Sequence, residues 1–148
     1  MDVILFIGIP GSGKSSFFKE HFASTHVRIN GDMLGTKYRE ASLLQWCLDH
    51  EQSCVVDNTN TTREVRARAV APALARGARV IGYFFQSKID DCLARNRGRH
   101  GSARIPDVGV RDHHSRLQIP SLDEGFSTLH FVSIGEKGFT ITPWHHEV

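Results

Sequence analysis

The chain is 148 residues long, with 18 Lys+Arg against 16 Asp+Glu and a net charge of +2. That length suits one domain with a real core, and 40% hydrophobic with 23% charged residues excludes a disordered or collagen-like chain. No apolar run approaches the roughly 18 residues of a membrane span, so a soluble protein is expected. Val3 to Ile9 follows Asp2 rather than a basic segment, which is not the pattern of a signal peptide. Cys47, Cys54 and Cys92 are odd in number and lack CxxC spacing, which points to free thiols and a reducing cytoplasm. The near-balanced charge argues against a protein that coats nucleic acid.

In chain order, Val3 to Ile7 is an unbroken β-branched and aromatic run, the pattern of a strand buried on both faces. Lys14 to Phe22 reads as a helix after a glycine-rich turn, and Val27 to Asn30 as a short strand. Tyr38 to His50 places Tyr38, Ala41, Leu44 or Gln45, and Leu48 on one helical face, with Trp46 beside it as a core residue. Cys54 to Val56 is a third strand, ending at Asp57. Thr62 to Arg76 is a helix stopped by Gly77, with Pro72 expected to bend it or split off its last turn. Arg79 to Phe85 is a fourth strand, and Lys88 to Arg97 a helix. Gly98 to Ile105 reads as a loop, and Asp107 to Gln118 as a further helix. Leu129 to Ile134 is a fifth strand, and Phe139 to Thr142 a candidate short edge. Strands separated by helices imply right-handed crossovers, hence an α/β domain with a mainly parallel five-stranded sheet and helices on both faces.

Gly8-Ile9-Pro10-Gly11-Ser12-Gly13-Lys14-Ser15 fits G-x-x-x-x-G-K-[ST] between a buried strand and a helix. The glycines let successive N–H groups point at phosphate oxygens, and the helix opening near Lys14 adds its positive end. Lys14 is a mobile charge for the β- and γ-phosphates, and Ser15 offers a hydroxyl to Mg²⁺. The motif implies binding of ATP–Mg²⁺ or GTP–Mg²⁺. No N/T-K-x-D motif reads a guanine base, so a GTPase switch is disfavoured. A motor ATPase is usually larger, so the chain reads as a small phosphotransferase with a late arginine-bearing lid, the alternatives being a small-molecule or nucleoside kinase on the same scaffold and a non-catalytic nucleotide-binding regulator.

Asp32 follows the second strand, where it can accept a proton from an attacking hydroxyl or cap a helix. Asp57 stands at a strand end in the position of a Walker B carboxylate that holds or orients Mg²⁺. Asn58, Thr59, Asn60, Thr61 and Thr62 at the same edge can bind substrate, or cap the next helix through Thr61 or Thr62. From Arg63 to Arg104, ten basic residues face three acidic ones, so this segment is +7 and the remainder is −5. Arg95 and Arg99, four apart, can project from one helical face toward a γ-phosphate. Arg63, Arg66 and Arg68 can meet a phosphate-bearing substrate, or lie on a solvated face like Arg76 and Arg79. His100, His113, His114, His145 and His146 lack metal-ligand spacing and read as surface histidines. Tyr83, Phe84 and Phe85 read as strand packing.

With these residues in view, the chain resembles the kinase domain of the polynucleotide kinase/phosphatase family, which phosphorylates 5′-hydroxyl ends of DNA or RNA. The resemblance runs through Gly8-x-Pro10-Gly11-Ser12-Gly13-Lys14-Ser15, Asn30-Gly31-Asp32-x-Leu34-Gly35 and Val56-Asp57-Asn58-Thr59-Asn60. It continues through Arg66-Ala67-Arg68, Arg95-Asn96-x-x-Arg99 and Glu124-Gly125-Phe126. It implies a P-loop kinase fold over residues 1–148, with a lid at about 95–106, acting with ATP and Mg²⁺ in nucleic-acid repair. By that resemblance Asp32 would be the general base, and Lys14, Arg95 and Arg99 would serve catalysis. Gly11, Ser12, Gly13, Lys14, Ser15 and Ser16, with Arg95 and Arg99, would hold the nucleotide. Ser15 and Asp57 would hold the metal, while Asp57, Asn58, Thr59, Arg66 and Arg68 would meet the acceptor. Two departures stand out. Gly31 occupies a position where the family usually has arginine, and no Asp-x-Asp-x-Thr phosphatase motif occurs. A phosphatase or ligase partner, fused or separate, would supply the other steps.

Overall fold

The first apolar run forms β1 (Asp2–Ile7), and its residues point alternately to the two faces of a sheet. Val3, Leu5 and Ile7 pack in one core with residues of two long helices, while Ile4 and Phe6 pack in a second core against Phe17 and Phe18. All five side chains are buried, which is why β1 reads as continuously apolar. The remaining strands are β2 (Val27–Ile29), β3 (Cys54–Asp57), β4 (Arg79–Phe85), β5 (Thr128–Gly135) and β6 (Gly138–Pro143). A computed structural model describes residues 1–145, with strand order β2-β3-β1-β4-β5-β6 in one sheet.

All neighbours run parallel except β5 and β6. The sheet has six strands rather than five, because the edge suggested at Phe139–Thr142 is a full partner of β5 from Gly138 to Pro143. A short hairpin between Gly135 and Gly138 keeps that pairing local, so it needs no helical crossover.

The helices are α1 (Lys14–His21), α2 (Gly31–Leu34), α3 (Lys37–Asp49), α4 (Arg63–Ala75), α5 (Ile89–Arg97) and α6 (Asp107–Arg116). Helix α1 covers one face of the sheet, and α3 and α4 cover the other. Cys92, Leu93 and Val110 bring α5 and α6 together over Ile9 of the loop after β1. Thr62 caps α4, its hydroxyl accepting from Val65 N–H.

Two helix expectations change. Helix α4 runs unbroken through Pro72, because Ala69, Val70 and Ala73 on either side of the proline stay buried on the sheet. That burial offsets the lost N–H and the ring clash. In α3 the buried face is Leu44, Cys47 and Leu48. Trp46 is not a core residue: it is 49% exposed and stacks on His50 at 4.4 Å, and Tyr38 is 80% exposed. The face that meets the sheet is rotated away from both aromatics.

Candidate active site

Strand register places the site. Phe6 of β1 pairs with Asp57 of β3, so the loop leaving β1 and the polar run leaving β3 emerge side by side. Gly8 N–H donates to Thr59 O at 3.0 Å, and Asn60 Nδ2 donates to Phe6 O at 2.8 Å. Asn60 takes a left-handed φ of 46° to make that bond, which Asn tolerates better than most residues. The side chain thus extends the ladder beyond the strand ends.

Gly11 and Gly13 have φ of 85° and 101°, the region that favours glycine, and curl the loop into the start of α1. A Cβ on Gly11 would collide with the Cys92 carbonyl, so α5 packs against the loop only because that side chain is missing. Lys14 Nζ donates to Gly8 O at 2.9 Å and Ile9 O at 3.0 Å. Burial pushes Lys14 down to about 8; Asp57 opposes that shift and Arg99 adds to it. A phosphate in the loop supplies the negative charge that this ammonium needs.

Ser15 Oγ and the buried Asp57 carboxylate converge on one guanidinium. Arg28 Nε donates to Asp57 Oδ2 at 2.7 Å, and Arg28 Nη2 donates to Ser15 Oγ at 3.1 Å. A hydroxyl and a carboxylate that already share a cation fit Mg²⁺, which takes one or two protein oxygens and completes its shell with phosphates and water. Arg28 was not among the residues marked by motif. Its signal was a charged residue inside a strand, between Val27 and Ile29, two positions before the polar turn.

Asn30, not Asp32, caps α2: its Oδ1 accepts from Met33 N–H, and its Nδ2 donates to Asp57 O at 2.7 Å. Asp32 lies exposed in the first turn of α2 and lines a cleft of about 340 Å³. Lys14, Ser15, Asp57, Asn58, Thr59, Arg99 and His113 line the same cleft. Asn58 accepts from Gly31 N–H and donates to Glu40 Oε1 at 2.6 Å, so it fixes the turn that carries Asp32. A Cβ at Gly31 would stand 3.3 Å from Asn58 Oδ1 and 3.4 Å from Glu40 Oε2, which ties that glycine to the tight turn. Glu40 and Lys37 carried no motif signal, because α3 brings them here only in the folded chain.

Several expected site residues lie elsewhere. Arg66 is fully buried, bonded to both carboxylate oxygens of Glu124 at 2.8 and 3.0 Å and to Asn60 O at 2.9 Å. With its donors committed inside the protein, it is a structural joint and not a substrate contact. Arg68 lines an adjoining cavity of about 100 Å³ between α3 and α4, which shares Lys37 and Asn58 with the phosphate cleft, and not the cleft itself. Arg95 and Arg99 do not share a helical face, since α5 ends at Arg97. Arg95 Nε donates to Gly11 O, clamping the loop from outside, while Arg99 lines the cleft. Ser16 is exposed in the first turn of α1 next to Ser15, and Ser12 is buried beside Lys14; neither lines the cleft itself.

The +7 segment is also less basic in space than in sequence. Arg63, Arg66, Arg76, Arg79 and Arg97 pair with Asp123, Glu124, Asp49, Asp2 and Asp107, all from outside the segment. His113 is no surface histidine: its Nδ1 is buried without a hydrogen-bond partner among the described residues, and it lines the cleft. Burial lowers its proton affinity, helped by Arg116 and Lys14. His146 falls outside the described residues. Among those residues no three His, Cys, Asp or Glu side chains gather as metal ligands.

A family model described as an AAA domain matches residues 3–119. A fission-yeast protein (Schizosaccharomyces pombe) named bifunctional polynucleotide phosphatase/kinase is 28% identical over 134 residues, covering 86% of this chain and 32% of its own. A relative from Acanthamoeba polyphaga mimivirus is 28% identical over 141 residues, covering 89% of this chain and 33% of its own. The chain therefore spans about a third of the length of the curated relatives it matches. Among solved structures, a gluconokinase from Sinorhizobium meliloti superposes with a TM-score of 0.65 at 20% identity, over 91% of this chain and 83% of that one. The sheet is that of an α/β P-loop kinase, and the match from residue 3 to residue 119 makes the chain a member of this AAA domain family.

Proposed function

We propose that this chain transfers the γ-phosphoryl group of ATP to the 5′-hydroxyl end of a polynucleotide, DNA or RNA. The observation that carries the reading is convergence: Lys14, Ser15, Asp32, Asp57 and Arg99, drawn from separate motifs, line one cleft. The names of the curated relatives supply the acceptor class. Residues 1–148 act as one kinase domain, and the segment of about 95–106 acts as its lid.

In this reading the loop from Gly11 to Ser15 and the end of α1 cradle the phosphates. Lys14 shifts from its carbonyl partners to the β- and γ-phosphates, regaining full charge as it does so. Ser15 and Asp57 are the residues placed to hold Mg²⁺, which when bound neutralises charge on the β- and γ-oxygens. Asp32 takes the proton from the attacking hydroxyl, and Arg99 stabilises charge on the transferring group. Asn58 and Thr59 position the acceptor between them. A phosphatase or ligase partner, fused or separate, supplies the other steps of end processing, and the three buried free cysteines suit a reducing cytoplasm.

A second reading, a kinase for a small hydroxylated metabolite, is favoured by the 100 Å³ cavity that shares Lys37 and Asn58 with the cleft. Transfer from γ-labelled ATP to a panel of 5′-hydroxyl DNA, 5′-hydroxyl RNA, nucleoside 3′-phosphates and small polyols separates the two. Labelled oligonucleotide with unlabelled polyol is the expected outcome. The reverse pattern replaces the first reading with the second.

A further inference from the structure

Arg28 makes two bonds that no other cation in the described chain makes: one to the carboxylate at the end of β3 and one to the loop hydroxyl. Its guanidinium also lies 5.6 Å from the centre of the Phe18 ring, so three groups fix its position. The two oxygens it joins are the same two that are placed to hold Mg²⁺. They are 2.7 and 3.1 Å from guanidinium nitrogens, whereas Mg²⁺ demands oxygens at about 2.0–2.1 Å in an octahedron. A guanidinium and a divalent ion compete for Ser15 Oγ and Asp57 Oδ2, because like charges a few ångströms apart repel in a partly buried site. Asp57 is buried, with Arg28 its direct ion-pair partner, so loss of one cation there calls for another.

We infer that Arg28 is the resident cation of the metal position, holding Ser15 and Asp57 in register until Mg²⁺ arriving with nucleotide displaces it. The Arg28 side chain is 26% exposed, which leaves it a route out of the contact, and the phosphate cleft beside it offers the displaced guanidinium an anionic partner. The consequence is ordered binding. Metal alone competes poorly against an arginine tethered on the neighbouring strand β2, whereas metal bound to a nucleotide brings the loop contacts that tip the exchange. This rests on the nucleotide-binding reading of the loop and not on the identity of the acceptor.

The test is Mn²⁺ binding, followed by water-proton relaxation, in wild type, Arg28→Met and Arg28→Lys, each with and without ADP. Without ADP, Arg28→Met is expected to bind Mn²⁺ about tenfold or more tighter than wild type, with Arg28→Lys between them. With ADP the three proteins are expected to converge. Thermal unfolding gives a second readout: Mn²⁺ alone should raise the melting temperature of Arg28→Met and leave that of wild type unmoved. Equal Mn²⁺ affinity in all three proteins without ADP overturns the inference while leaving the nucleotide site intact. If Arg28→Met does not fold, Arg28→Lys carries the comparison, and wild-type affinity in that variant overturns the inference. Failure of wild type to bind Mn²⁺ even with ADP removes the nucleotide reading, and this inference with it.

Discussion

Two arginine–carboxylate pairs show how the same chemistry serves two different ends in this molecule. Arg66, fully buried, and Glu124 join α4 to the turn before β5, with both carboxylate oxygens engaged. Arg28 and Asp57 meet through one oxygen at the mouth of a cleft, and the second guanidinium arm goes to Ser15. In the first pair the arginine is wholly buried and the glutamate side chain nearly so, and Glu124 Oε2 also accepts from Ser121 N–H. In the second the arginine side chain is 26% exposed. A sealed pair locks a fold, while a half-open pair beside a phosphate loop can trade partners. Of the arginines expected to meet substrate, Arg66 is the sealed one.

The largest expected effect tests the sealed side. Arg66→Ala leaves Glu124 buried and unpaired, so the denaturant midpoint should report a loss of about 3–5 kcal/mol. A change under about 1 kcal/mol would mean that the joint is dispensable and that the contrast between the pairs is false. On the open side, Asp32→Asn should cut phosphoryl transfer by about 10²–10⁴-fold while the ADP dissociation constant and the unfolding midpoint stay near wild type. Near-normal turnover would remove Asp32 as the base. Arg99→Ala should lower kcat by about 10²–10³-fold, the range seen when one charge-stabilising donor is lost, with little change in stability.

A smaller effect follows from Lys14, held at about 8 by burial against an ordinary 10.5. Phosphate favours its charged form, so binding nucleotide above pH 8 requires proton uptake, and affinity should fall up to about tenfold per pH unit there. Calorimetry in buffers of different ionisation enthalpy detects that proton. For the protein alone the sign reverses: between about 8 and 10.5 the unfolded chain holds more protons on Lys14, so this residue's contribution makes stability rise with pH. The smallest effect is structural, with Thr62→Ala expected to cost about 1 kcal/mol through the lost cap on α4.

Much of the site was legible before folding. The phosphate loop, the strand-end Asp57 and the turn with Asp32 are short-range patterns, each with its reason inside a dozen residues, and all three line the cleft. The strands and helices were legible for the same reason, since hydrophobic period and glycine and proline punctuation act locally. What local pattern could not assign was the partner of each charge. Arg66 sits in a motif-like Arg-Ala-Arg, yet its carboxylate comes from 58 positions away. Trp46 looked like core until the packing of α3 turned it outward.

The sequence by itself determined that phosphate is bound, where along the chain, and on what kind of sheet, because glycine backbone freedom and strand burial are properties of residues in a row. Only the tertiary structure decided what the arginines do. Five of the ten basic residues in the +7 segment meet carboxylates from beyond it, while Arg28, outside that segment, joins Asp57 to Ser15 beside the phosphate loop. Charge acts across space rather than along the chain, so the pairing that buries one arginine and leaves another partly exposed beside the cleft exists only once the strands have brought their ends together.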